Sequence, residues 1–148
     1  MSGLTAAIRR ARETGDFGPL AEVVPYARFL GITAETTDGD LLGRLRYADH
    51  LVGNPLLPAL HGGAIGALLE STAIFKLLAS SDVDDAPKTI SVTIEYLRSA
   101  GPSDTLARAV ITRQGRRVAS VHVIAWQDDA ARPVARANAQ FLLPGGTT

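Results

Sequence analysis

The stretch from Asn54 to Ala73, NPLLPALHGGAIGALLESTA, gathers the residues best able to do chemistry. His61-Gly62-Gly63 stands at the start of a long apolar run, and one carboxylate, Glu70, lies inside that run. At a helix start the backbone N–H groups lack intrahelical partners, and the helix dipole favours negative charge there. Glycines let a ligand approach that backbone with no Cβ in the way. Such an end suits the developing oxyanion of a polarised carbonyl. On spacing alone, the two glycines could equally serve only to bring the helix start close to a sheet. Glu70 raises a separate question, because an unpaired buried carboxylate is costly. It must be paired, neutral, or turned to a cavity or an interface. Taken alone, a structural ion pair with a strand arginine is the more common outcome.

Gly62 and Glu70 are eight positions apart, about 12 Å along a helix axis. One small reacting group cannot touch both in the same chain. If both serve one carbonyl, they come from two chains whose helices run antiparallel across a two-fold axis. A dimer therefore follows from the functional reading.

Other polar residues have plainer readings beside the chemical one. Arg113, Arg116 and Arg117 flank the Gln114-Gly115 turn, and Arg98 is a similar candidate. Arginine suits phosphate recognition, although a solvated turn accounts for any one of them as well. His50 and His122 have no metal-like partners in the sequence and read as structural. Trp126 and Phe141 read as core or interface residues.

The elements that must position these groups follow from periodicity. Residues 2–14 form helix, ended by Gly15 and Gly18-Pro19, and a second short helix spans Leu20 to Phe29 with Pro25 interrupting it. Ile32–Thr37 and Leu41–Tyr47 pair as a hairpin about Asp38-Gly39-Asp40. Asp49–Leu60 reads as a loop. Gly62–Ser80 is the one long helix, apolar nearly all round, with Glu70 and Lys76 its only ionisable side chains. A helix of that kind is buried on most sides, so something must wrap it. Lys88–Leu97 alternates, with Ile90, Val92 and Ile94 on one side and Ser91, Thr93 and Glu95 on the other. Thr105–Arg113, Val118–Trp126 and Val134–Leu142 are joined by short turns, which predicts an antiparallel meander. The expected architecture is α+β, one domain over residues 1–148, with a sheet wrapped around a central helix. Gly145–Thr148 reads as a frayed tail.

Composition limits the rest. The 148 residues are 46% hydrophobic and 20% charged, which is globular. Fifteen basic and fifteen acidic side chains cancel, which argues against nucleic-acid binding by bulk charge. The absence of cysteine excludes disulfides, Cys-ligated zinc, iron–sulfur clusters and Cys nucleophiles. Arg9, Arg10 and Arg12 precede no apolar segment of signal-peptide type, and no run of about 18 apolar residues is counted, so a cytoplasmic protein without a membrane span is expected.

His-Gly-Gly at the start of a buried helix, with an acid nine residues after the His, resembles the hotdog-fold acyl-CoA thioesterases, in particular the phenylacetate-pathway (PaaI-like) branch. The likeness covers residues 32–143. It includes the Tyr96-x-x-x-Ala100, Gly101-x-x-Asp104 and Gly115-Arg116 positions of the strand block. It implies a hotdog fold, thioester hydrolysis with an acyl-CoA substrate, and a homodimer with shared sites or a dimer of dimers. No cofactor, metal, nucleic acid or membrane is expected. By this resemblance Glu70 matches the catalytic acid, and Gly62 the residue whose N–H polarises the thioester carbonyl. His61 matches the motif His that organises the loop, Thr89 a residue that holds the attacking water, and Gly63 a substrate-binding position. Asn54 matches a loop Asn that positions substrate or water, with one departure. It precedes His61 by seven residues where the family has six, and Pro58 stands where the family has Gly. Whether Glu70 activates water or attacks the thioester directly stays open at this level. Two competing readings are a hydratase or dehydratase of the same fold and a non-enzymatic acyl-CoA-binding sensor. The His-Gly-Gly…Glu order favours hydrolysis over the first. The lack of a helix-turn-helix extension disfavours the second.

Overall fold

A computed structural model describes residues 3–80 and 85–145. Three helices open the chain: α1 (Gly3–Thr14), α2 (Gly18–Glu22) and α3 (Pro25–Leu30). Gly18-Pro19 does not merely end α1, and Pro25 does not interrupt a helix. Each proline lies in the first turn of a new helix, where a missing N–H costs nothing. A hairpin follows, β1 (Ile32–Thr37) and β2 (Asp40–Leu45). Its turn residues Asp38 and Gly39 both have positive φ, 53° and 78°, as the tightest hairpin turns require.

The segment expected to be loop holds a 3-10 turn at Asp49–Leu51 and a small hairpin, β3 (Val52–Asn54) with β4 (Ala59–Leu60). Pro55 and Pro58 fall in the connection between the two strands, so neither proline blocks a ladder bond. Then come α4 (Gly62–Ser80), β5 (Lys88–Tyr96), β6 (Thr105–Gln114), β7 (Val118–Trp126) and β8 (Ala135–Leu142). The main sheet runs β1-β2-β6-β7-β8-β5, every neighbouring pair antiparallel. The β6-β7-β8 meander is as expected. β5, which directly follows α4 among the described elements, lies at the far edge against β8. The expected C-terminal tail lies, beyond Gly145, outside the described residues.

α4 is the centre of the core. Leu68, Leu69, Leu77 and Leu78 are at most 1% exposed. By length and composition this helix is long and apolar enough to cross a membrane, contrary to the expectation that the chain holds no such run. Here the sheet supplies the apolar surroundings. Buried alanines face it from β6 (Ala107, Ala109), β7 (Ala119, Ala125) and β8 (Ala135, Ala137, Ala139). Small side chains let the sheet curl closely over the helix.

Three contacts fix α4 in place. Arg12 of α1 donates from Nε to the Leu78 carbonyl at 3.0 Å, satisfying a last-turn acceptor. Lys76 pairs with Asp40 at 3.3 Å. Thr72, fully buried, donates its hydroxyl to the Leu68 carbonyl at 2.7 Å and rests against Gly43 of β2. A Cβ on Gly43 would overlap that hydroxyl. Gly43→Ala should therefore destabilise the protein by roughly 1–3 kcal/mol, the usual cost of overpacking. Urea titration of the single variants and of Gly43→Ala/Thr72→Ala checks this: the double variant should lose less than the sum of its parts.

Candidate active site

α4 begins at a hand-over from the β3–β4 hairpin. The His61 N–H donates to the Leu51 carbonyl at 2.7 Å, and the His61 carbonyl accepts from Ala64 at 3.0 Å. The imidazole Nδ1 accepts the Gly63 N–H at 2.8 Å, so the His61 side chain caps the helix. That capping geometry needs small neighbours. A Cβ on Gly63 would sit 2.9 Å from Nδ1, and one on Gly53 would sit 2.8 Å from the His61 Cα. Gly53 was not singled out from the sequence, and only its place in a breaker-rich segment hinted at it. Among the described residues the Gly62 N–H has no hydrogen-bond partner.

Tyr96, near the end of β5, is the other residue that sequence reasoning passed over as a site component. Its hydroxyl donates to the Gly62 carbonyl at 2.7 Å, and its ring lies where a Gly62 side chain would be, 3.2 Å from an ideal Cβ. Gly62, Ile65, Tyr96 and Arg98 line one groove of about 380 Å3 at the start of α4. Arg98 is anchored in it, donating from Nε to the Pro133 carbonyl at 3.1 Å. Asn54 is exposed in the adjoining hairpin, and its Oδ1 accepts the Leu56 N–H at 3.0 Å.

Two turns further along α4, Glu70 is half-buried. Its Oε2 accepts the Thr89 hydroxyl at 2.8 Å. Among the described residues it forms no ion pair, in contrast to Lys76 on the same helix. The strand arginine that the sequence offered as a partner is not there. Strand alternation alone would turn Thr89 away from α4 with Ser91 and Thr93. The register explains why it does not. Thr89 pairs with Phe141 and Ser91 with Gln140, so Ile90 is the extra residue of a β-bulge. Phe141 is buried and Gln140 exposed, which puts Thr89 on the helix-facing side together with Val92 and Ile94. Ile90, expected to share that side, is 54% exposed. Bulges re-aim side chains beside sites in this way.

The remaining candidates lie apart. Arg113, Arg116 and Arg117 gather with Ser120 and Gln140 around a pocket of about 530 Å3. Ser120 alternates with the buried Ala119 and Val121, so this pocket opens on the sheet face turned away from α4. Within one chain the structure thus joins Glu70 to Thr89, and His61, Gly62 and Gly63 to Tyr96 and Arg98, and it leaves the two groups separate. His50 bonds the Phe29 carbonyl through Nε2 at 3.1 Å, and His122 Nδ1 lies 3.0 Å from Asn138 Oδ1. Asp104 accepts the Tyr47 N–H at 2.8 Å, a fold-pinning role. Trp126 and Phe141 are buried.

Comparison with known proteins gives the following. The profile of the acyl-CoA thioesterase N-terminal domain matches residues 54–142. No curated protein matches. A crystal structure of a protein from Chromobacterium violaceum is 34% identical, with a TM-score of 0.75, over 96% of this chain and 99% of that one. A phenylacetic acid degradation-related protein from Ralstonia eutropha is 25% identical, with a TM-score of 0.75, over 93% and 99% of the two chains. A Bacillus halodurans protein crystallised with CoA is 22% identical, with a TM-score of 0.74, over 97% and 93%. The antiparallel sheet around a long central helix is the hotdog fold.

The bulge generates a prediction. Deleting Ile90 removes the extra residue and makes Thr89–Phe141 and Ser91–Gln140 adjacent ladder pairs, so Thr89 should stay on the helix-facing side and keep Glu70. A Thr89–Glu70 side-chain NOE retained in the deletion variant is the expected result. Its loss, with the β5–β8 ladder retained, would mean that Ile90 is not the extra residue.

Proposed function

Because the chain belongs to the acyl-CoA thioesterase family, we propose that it hydrolyses an acyl-CoA thioester, with Glu70 as the base and the Gly62 N–H as oxyanion donor. The observation that carries this reading is the Glu70–Thr89 pair. A carboxylate on a largely apolar helix is held by a neutral hydroxyl instead of a cation. Thr89 occupies one lone pair of Oε2, and the carboxylate keeps others for a water. In the proposed reaction, water oxygen adds to the thioester carbon while its proton passes to Glu70. The carbonyl oxygen takes the negative charge and accepts the Gly62 N–H, whose helix dipole has the matching sign. The tetrahedral species collapses, the C–S bond breaks, and the thiolate takes up the proton. The products are a carboxylic acid and free CoA thiol.

Glu70 and Gly62 in this scheme belong to different protomers, since one helix holds them about 12 Å apart. The sheet edge supports such pairing. β5 is nine residues long, lies at the edge, and exposes Ile90 and Tyr96, with Leu97 exposed just after it. A long uncovered edge strand is a template for another strand, and a two-fold partner along it satisfies both requirements. The CoA held by the Bacillus halodurans relative supports the choice of thiol carrier. Arg98, beside Gly62, is the better-placed arginine for its phosphates; Arg113, Arg116 and Arg117 open on the other sheet face.

The test is thiol release from a panel of acyl-CoAs, aromatic and medium-chain groups first. Glu70→Gln should keep the fold and lower kcat by about 10²–10⁴-fold, the usual loss on removing a general base. If Glu70 were structural, melting temperature would fall and turnover would survive. Thr89→Ala should lower kcat with little change in KM. Gly62→Pro removes the oxyanion donor itself and should also lower kcat; because Tyr96 lies 3.2 Å from an ideal Cβ there, its melting temperature is measured on the same sample.

A further inference from the structure

A second opening lies one helical turn beyond Glu70. Ser71, Ile74, Phe75 and Leu78 of α4 form one wall of a pocket of about 240 Å3. Leu4 of α1, Leu20 of α2 and Val24, just before α3, face them, and Ala86 also contributes. Ser71 brings a single hydroxyl, and every other lining side chain is hydrocarbon. Ile74 is four positions after Glu70 and shares its helix face, while Ser71 adjoins Glu70 in sequence. A group attached to a carbonyl held at Glu70 therefore needs to reach only about 5 Å, one helical pitch, to enter.

We propose that this pocket receives the acyl tail of the substrate, and that the N-terminal helices set its length limit. The proposal rests on the thioesterase reading above and adds to it a specificity wall. That wall comes from residues ahead of 54–142, the stretch that matches the family profile. Size and chemistry define the tail. An apolar cavity of about 150 Å3 takes up benzene and stays dry, so this one suits roughly a benzyl group or a chain of six to eight carbons. A dicarboxylic acyl group is excluded, because one hydroxyl cannot compensate a carboxylate taken out of water.

The experiment combines two opposed variants with a binding measurement that does not depend on catalysis. Val24→Phe fills the pocket and Ile74→Ala enlarges it. kcat/KM is measured for acetyl-, butanoyl-, hexanoyl-, octanoyl-, decanoyl- and phenylacetyl-CoA. Val24→Phe should lower the octanoyl-to-acetyl ratio at least tenfold, and Ile74→Ala should raise the decanoyl-to-hexanoyl ratio. Uniform scaling of all six substrates by both variants would overturn the proposal. Separately, octanoate is titrated into the wild-type protein, and the methyl resonances of Leu4, Val24, Ile74 and Leu78 are followed. Saturable shifts at these methyls support the pocket, and unmoved methyls overturn it. If no ester is cleaved while octanoate still moves them, the thioesterase reading fails and the apolar-tail site stands.

Discussion

The apolar surface of α4 has to be taken out of water, and the sheet does this by curling over it with small side chains. Full burial of a leucine is worth roughly 1.5–3 kcal/mol, and α4 contributes Leu68, Leu69, Leu77 and Leu78 at close to zero exposure. The close approach explains the composition around the helix. Alanines line β6 to β8, and Gly43 makes room for the Thr72 hydroxyl. Thr72 in turn can be buried only because it bonds the Leu68 carbonyl within its own helix.

What the sheet leaves uncovered is as informative as what it covers. Gly63, Ala67, Glu70 and Ile74 recur at helical spacing, and none of them is fully buried. This stripe follows one side of α4, and β5, whose Thr89 reaches Glu70, is an edge strand of the sheet. The polar chemistry of the molecule is therefore concentrated where the wrapping stops. Of the two ionisable groups on α4, Lys76 is neutralised by Asp40, while Glu70 meets only a hydroxyl. The same incompleteness underlies the proposed dimer: an open edge, an open helix stripe, and two groups too far apart to act together in one chain.

Much of this was legible in the sequence, for physical reasons that differ by element. The limits of α4 are plain because His61 and two glycines end the preceding segment and the apolar run has no internal breaker. The Asp38-Gly39 turn is equally plain, since few residue pairs accept two positive φ angles. The β5 bulge was not legible. Alternation extends unbroken through Ile90 in the sequence, and only pairing with β8 reveals that Ile90 is the extra residue. The β3–β4 hairpin was hidden by Pro55 and Pro58, which read as loop until they fall between the strands. The face of the Arg113–Arg117 turn was hidden as well, because a second bulge between Ile111 and Arg113 shifts the register there. Glu70 stood out as an isolated carboxylate, but its partner had to come from a strand whose phase was misread.

In the proposed dimer, Glu70 of one protomer and the Gly62 N–H of its partner act on the same carbonyl. Co-refolding Glu70→Gln with Gly62→Pro tests it. A mixed dimer has one site carrying both defects and one carrying neither. Purified heterodimers should recover activity up to about half that of the wild type, while each variant alone forms dimers and stays nearly inactive. Heterodimers as inactive as their parents would contradict the claim.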